Sequence, residues 1–382
     1  MPRRAPPIQL ELVTSVTAID AAEWNACAGD NNPFLRHEFF RACEESGSAV
    51  AETGWQPAHL CLREEAGAPL RGVLPGYVKS HSQGEYVFDH SWADALHRAG
   101  GDYYPKLQHS VPFTPATGPR ILAGNLEDAS ALLSGAEAVC QQHGLSSAHA
   151  TFFPEDERPY YETKDWLIRT GEQFHWFNRD YDSFEGFLGA LSSRKRKTIR
   201  RERRGAADHG LQIVRLEGAE ITEEDWDAFW VFYQDTGARK WGTPYLTRAA
   251  FTLFSELMPE RLLLILAKDG DRPVAGALNF IGGDCLYGRY WGAVADIPFM
   301  HFELCYYQAQ DIAIERGLAR VEAGAQGAHK LARGYEPVET LSAHWIGNPS
   351  LRNAIDEFLV RERRAVASEV DHLQRFTPFK KG

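Results

Sequence analysis

No run in these 382 residues approaches the roughly 18 apolar residues that a membrane-crossing helix needs, and the opening MPRRAPPIQLELV lacks the apolar core of a secretory leader. Both absences predict a cytoplasmic chain. Cysteine is scarce. Cys27, Cys43, Cys61, Cys140, Cys285 and Cys305 show no CxxC or CxxH spacing, so neither structural zinc nor a disulfide framework is expected, and most are read as small core residues. No GxSxG elbow occurs, which argues against that type of covalent nucleophile. An excess of positive charge is lacking too: 41 Lys and Arg against 52 Asp and Glu give −11, the wrong sign for a protein that coats nucleic acid with its whole surface.

What is present is enough apolar material, 44% of residues, for two cores, and a length that predicts two domains at about 100–200 residues each. An internal repeat agrees. His59 to Arg63, Gly72 to Lys79 and Glu85 to Asp89 read as a three-strand meander, and so do Leu262 to Lys268, Val274 to Ile281 and Cys285 to Gly292. Each is followed by a helical stretch, Ala129 to His143 or Phe302 to Arg316, closed by Gly144 or Gly317 and then by a short apolar strand. The expected domains are 1–170 and 171–382.

One segment breaks the acidic balance. From Arg194 to Arg204, eight of eleven residues are basic. Phe184, Phe187, Leu188 and Leu191 start an apolar helical face that Ile199 extends. Arg196, Arg200 and Arg203, with Lys197, Arg201 and Arg204 beside them, are then expected to line the opposite side as a ridge suited to phosphates. Like charges at i and i+4 weaken a bare helix, which favours an anionic partner, internal or external. Further on, Thr222 to Asp225 has the form of a capping box, followed by a core stripe of Trp226, Phe229, Trp230 and Tyr233. The loop after it places Trp241 between turn residues, a candidate site border.

The densest chemistry lies at Val321 to Pro337, where a strand leaves the core. Glu322, Gln326, His329, Lys330 and Arg333 crowd among Gly324, Gly327 and three alanines, a backbone that a ligand can approach closely. A solvated loop is the plain alternative. Glu322 or His329 has the chemistry of a base, and Lys330, Arg333 and Arg289 that of anion partners. Glu322 is read equally well as a structural partner of Arg333. Tyr290 and Trp291 form a candidate apolar wall, and His301 starts a helix whose N-terminus attracts anions. In the first half Tyr103, Tyr104, Lys106, Phe113, Thr114 and Arg120 form a Pro-punctuated segment, read either as part of an acceptor cleft or as glue between the halves.

Asn32 to Phe39, Tyr104 to Leu107, Val111 to Pro115 with Gly118 to Arg120, Phe174 to Trp176, Ser192 to Arg204 and Glu322 to Tyr335 together resemble motifs of the Fem aminoacyl transferases, and more closely of the Fem-like predicted N-acyltransferases associated with peptidoglycan biosynthesis or recognition. The likeness covers nearly the whole chain. It implies an α/β fold (α+β) of two tandem acetyltransferase-like (GNAT) domains, each with a mostly antiparallel sheet flanked by helices. It also implies acyl transfer to an amine, with Glu322, His329 and Lys330 as catalytic candidates and no metal or tightly bound cofactor. The donor co-substrate is then aminoacyl-tRNA or acyl-CoA. The glycine-rich pyrophosphate loop of acetyl-CoA enzymes is missing after both sheets, which tilts the expectation toward aminoacyl-tRNA and an amine-bearing cell-wall precursor or peptide; the lack of a long helical arm points the other way. An acyl-CoA enzyme and a noncatalytic binder of cell-wall fragments are the alternatives, and transient contact with a membrane surface is compatible with all three.

Overall fold

The computed structural model describes residues 8–240, 244–324 and 327–380. Trp241 and Gln326 lie outside the described residues. The chain is mixed α and β and forms two compact units. One holds the residues up to Asp30, Phe34–Gly171 and Glu339–Ala367; the other holds Asn31–Pro33, Glu172–Val338 and the residues from Ser368. The division therefore differs from a single cut at 170/171. Strand Leu167–Phe177 carries the chain out of the first unit, and strand Glu336–Ile346 carries it back.

The first unit has an antiparallel sheet of Gln9–Val13, His59–Arg63, Leu70–Leu74 and Leu122–Ala123, and a second sheet in the order Glu336–Ile346, Ser147–Phe153, Lys106–His109, Tyr77–Lys79, Trp55–Pro57. Among the described pairings of this unit, Lys106–His109 and Ser147–Phe153 run parallel. The expected strand Gly72 to Lys79 is split between the two sheets at Pro75-Gly76: Pro75 cannot donate to a ladder, and a side chain on Gly76 would meet the Ala58 carbonyl at 2.7 Å. The expected strand Glu85 to Asp89 does not form; the segment is irregular and leads into helix His90–Arg98. Helix Leu126–His143, capped by Asn125 and ended by Gly144 at φ 64°, buries Leu132, Leu133 and Ala136 against Leu60, Leu62, Leu107 and Ala148.

In the second unit the expected meander is present. Leu262–Asp269, Arg272–Gly282 and Cys285–Ala293 pair antiparallel, with Gln212–Glu217 at one edge and Arg320–Glu322 after Cys285–Ala293. The run Leu262 to Ala267 is apolar without alternation because both sheet faces are covered. Leu263, Ile265 and Ala267 join a core with Ile199, Leu304, Tyr307 and Ile312. On the other face, glycines admit helix Glu223–Lys240. A Cβ on Gly276 would meet Phe229 at 2.9 Å, and one on Gly292 would meet the Phe232 carbonyl at 2.1 Å. That helix starts with the expected reciprocal bonds between Thr222 and Asp225, both 3.2 Å. Trp226 and Phe229 are fully buried, as a core stripe requires.

The basic segment does not continue the helix begun at Phe184. Helix Phe184–Ala190 ends at Leu191, which is extended at ψ 158°, and a new helix, Ser193–Ala207, starts after Ser192. The C-terminal tail fills the break: the Ser192 amide donates to the Pro378 carbonyl, and Leu191 bridges to Phe379. The phase of the second helix is therefore set independently of the first. Among the described residues no helix is long and apolar enough to cross a membrane.

Candidate active site

Strand Cys285–Ala293 pairs in parallel with Arg320–Glu322 only through Tyr287 opposite Glu322. Beyond that point the two strands part. A bulge lies just there: Leu278 pairs with Tyr290 but Asn279 with Gly288, leaving Arg289 as the extra residue. The bulge reverses the alternation, so that Leu286 before it and Trp291 and Ala293 after it share one core, while Tyr290 turns to Tyr233 with ring centroids 5.2 Å apart.

Glu322 ends the short strand, buried, and faces His175 as its cross-strand partner. Its Oε1 accepts from Arg320 Nε at 3.2 Å. Its Oε2 lies 3.9 Å from His175 Nε2 and has no hydrogen-bond partner among the described residues. The alternative pairing of Glu322 with Arg333 does not form. Burial lowers the pKa of His175 below that of a free imidazole, with Glu322 opposing and Arg320 and Lys330 reinforcing the shift. His175 Nε2 also meets Gln173 Oε1 at 3.2 Å. Gln173 and His175 are site residues that reading single positions missed, although His175 sits inside the Phe174-His-Trp176 motif.

The chain then turns back through a short 3-10 helix, Ala328–Arg333, between Gly327 at φ 120° and Gly334 at φ 88°. A Cβ on Gly334 would meet the Phe187 ring at 2.5 Å, so glycine is required there twice over. Lys330 is 1% exposed, and its Nζ donates to the carbonyls of Ala323 at 2.5 Å and Gly324 at 2.8 Å, where the strand ends. Among the described residues no carboxylate pairs with it. Burial, with Arg289 adding to it, brings its pKa down to about 7. Arg333 is held by Glu202 of the basic helix at 3.1 and 2.9 Å, donates to the His329 carbonyl at 2.7 Å and lies 3.4 Å over the Phe302 ring. It is a buried strut rather than a ligand contact. His329 is exposed and meets the Tyr306 hydroxyl at 2.8 Å.

The helix after the bulge begins at Met300 behind Phe299, which is left-handed at φ 66°, and widens into a π-helix over Glu303–Tyr307. Such segments recur at functional sites because they re-aim successive side chains. Here His301 contacts Trp291, Tyr306 and His329 at 5.2, 5.3 and 6.2 Å between ring centres. Arg289 packs over Tyr290. The structure thus brings Glu322, His329, Lys330, Arg289, Trp291 and His301 to one region of the second unit, while Tyr290, expected beside Trp291, faces Tyr233 of helix Glu223–Lys240 instead.

The cationic ridge is smaller than expected. Arg203 turns inward, bonded to Glu303 at 3.0 Å and Asp311 at 2.8 Å and stacked 4.5 Å from Phe184, so it is no phosphate ligand. Arg200 pairs with Glu185 at 2.5 Å. Arg194, Lys197, Arg201 and Arg204 are exposed and Arg196 half-buried, and among the described residues they form no ion pair.

In the first unit the expected ligand residues are mostly sealed. Lys106 is fully buried, and its Nζ bonds Asp89 at 2.6 Å, Glu85 at 2.7 Å and Ser82 at 2.8 Å. Burial opposes its charge, but the two carboxylates prevail and raise its pKa. Arg120 is 2% exposed and spends its guanidinium on the carbonyls of Thr151, Gly118 and Ala116. Both are internal struts, not acceptor contacts. Tyr104 is half-buried and bonds Ser82 at 2.8 Å. Among the described residues no cluster of His, Cys, Asp and Glu could hold a metal.

The family model described as peptidoglycan biosynthesis/recognition, FemAB-like, matches residues 15–381. Among solved structures the chain is similar to FemX, with 13% identity, 88% of this chain and 98% of that one covered, and a TM-score of 0.54. It is also similar to the C-terminal domain of a putative lysylphosphatidylglycerol synthetase from Agrobacterium fabrum, with 11% identity, 90% and 97% covered, and a TM-score of 0.53. A conserved protein of unknown function from Bacteroides thetaiotaomicron follows at 12% identity, 88% and 99% covered, and 0.51. No curated protein matches the chain. At these identities the structural likenesses speak for the fold alone, while the full-length family match makes the chain a member of the FemAB-like family.

Proposed function

We propose that the second unit transfers an acyl group, in our reading an aminoacyl group from charged transfer RNA, to an amine borne by a cell-wall precursor or peptide. The observation that carries this is Lys330: a buried lysine with no carboxylate partner among the described residues, fixed by two carbonyls where the strands part. An ammonium has three N–H donors. Two are engaged, and the third is available to an oxyanion forming beside the strand exit. The neutral amine attacks the ester carbonyl, the C–N bond forms, and the amine's proton passes to the open oxygen of Glu322. The C–O bond then breaks, and Lys330, poised near neutrality, protonates the departing oxygen. His175 and Arg320 hold Glu322 in place, and His301 with Trp291 walls the entry.

Two features support the choice of donor. The outer face of Ser193–Ala207 retains exposed cations after its internal pairs are made, and Val294 to Phe299, ahead of the helix at Met300, carries Asp296 and Pro298 where a pyrophosphate cradle needs glycine amides. Calorimetric titration with bulk aminoacylated transfer RNA and, in the same buffer, acetyl-CoA tests the reading. Binding of charged transfer RNA alone is expected. Binding of acetyl-CoA alone would make this an acyl-CoA enzyme, and silence from both would leave a binding module.

A further inference from the structure

The basic helix carries two acid–base links on its inner side that its composition hides. Glu202, 6% exposed amid the eight basic residues of its segment, accepts from Arg333 Nη2 at 2.9 Å and Nε at 3.1 Å, and from the Tyr307 hydroxyl. Arg333 in turn donates to the His329 carbonyl at 2.7 Å, and Gln310 holds the Arg333 carbonyl at 2.8 Å. Next to it, Arg203 bonds Glu303 and Asp311 on the helix that begins at Met300. Two successive residues of one helix thus grip both elements that carry the candidate chemistry.

The grip on the turn matters more. Ala328–Arg333 is one short 3-10 segment between two glycines in positive-φ conformations, and among the described residues its backbone–backbone bonds stay local, from Lys330 to Gly327, Gly334 to Leu331 and Tyr335 to Lys330. Such a segment does not fix its own orientation. What fixes it are side-chain bonds to its neighbours: those of Lys330 to the strand exit at one side and the Glu202–Arg333 pair at the other, with Gln310 on the Arg333 carbonyl and Tyr306 on His329.

We infer that Glu202 is a positioning residue: through Arg333 it ties the turn bearing Lys330 to the cationic helix, so that an anionic donor seated on the helix's outer face is held in register with the reacting groups. This rests on the function proposed above for the donor, but not for the clamp itself.

The test is amide hydrogen exchange at residues 328–334 in the full chain, for wild type, Glu202→Gln and the core control Ile312→Val, without ligand. Glu202→Gln is expected to speed exchange in the turn about tenfold or more. Ile312→Val, matched in thermal stability, is expected to leave the turn unchanged. Exchange in the Glu202→Gln turn within about twofold of wild type overturns the clamp. The same measurement with deacylated bulk transfer RNA separates the two readings. Protection of the turn in wild type but not in Glu202→Gln, at equal affinity, supports the coupling to the helix. Binding without protection in wild type overturns the coupling, and no binding sinks the donor reading while the ligand-free data still judge the clamp. Once a donor is in hand, Glu202→Gln should lower kcat with the donor's KM unchanged.

Discussion

Lys330→Met should make the protein inactive and, at neutral pH and below, more stable. Methionine keeps the length of the side chain and removes the charge. In the folded protein the Lys330 pKa falls from 10.5 to about 7, and at about 1.4 kcal/mol per tenfold change in proton affinity this burden is on the order of 5 kcal/mol at pH 6. The sign follows from linkage: the folded pKa lies below the unfolded one, so folding expels the proton, and the cost is full below pH 7 and fades as pH rises toward 10.5. At pH 9 roughly 2 kcal/mol remain on the same reckoning. Against this, the methionine leaves the carbonyls of Ala323 and Gly324 without their donor, a loss of about 2 kcal/mol that does not vary with pH. The variant should therefore exceed wild type by about 3 kcal/mol at pH 6, near 9 °C in melting temperature at ~3 °C per kcal/mol, and match it near pH 9. Urea denaturation at pH 6, 7.5 and 9 measures the difference directly. A difference that stays constant between pH 6 and 9 would refute the depressed ammonium and, with it, the role assigned to Lys330.

Glu322→Gln should reduce transfer by at least about a hundredfold with the melting temperature within a few degrees, measured by single-turnover transfer from whichever donor titrates. Charge reversal at Arg194, Lys197, Arg201 and Arg204 should weaken binding of transfer RNA and flatten its salt dependence, whereas Arg203→Ala should leave that slope alone and destabilise by about 2–4 kcal/mol, since Glu303 and Asp311 lose their partner. Lys106→Ala should destabilise the first unit by about 3–5 kcal/mol in denaturant titrations, because it strands the buried carboxylates of Asp89 and Glu85. Its loss of stability without a selective loss of acceptor binding would confirm it as a strut.

The second unit was the more legible of the two in sequence, for a physical reason. Leu262 to Ala267 is apolar on both faces, and turn residues at Asp269-Gly270 and Gly282-Gly283-Asp284 separate it from its neighbours, so strand limits follow from composition alone. The candidate site at Glu322 to Arg333 drew notice in the sequence because buried strands seldom release so many ionisable groups among glycines. What escaped was pairing at a distance. Arg333 finds Glu202, 131 positions away, rather than Glu322, and Arg203 leaves the ridge because the helix restarts after Ser192 with a phase no periodicity carried across Leu191. Glu85 to Asp89 alternates like a strand, yet its carboxylates are drawn inward by the ammonium of Lys106. Burial of that lysine, and of Arg120 among three carbonyls, overrides the usual exposure of both residue types.

The return of Glu339–Ala367 to the first unit sets an order on synthesis. Ser147–Phe153 is paired along one side by Lys106–His109 and along the other by Leu341 to Ile346. A ribosome that has just passed residue 171 has therefore released a sheet with an open edge in its middle and a core still missing Leu341, Ala343, Leu351 and Ile355. At about 5–20 residues per second the nascent first unit waits tens of seconds for its last strand and helix, while the residues of the second, apart from its C-terminal tail, have all emerged by Val338. The half of the chain begun first is thus closed only after all but the tail of the other half has been made.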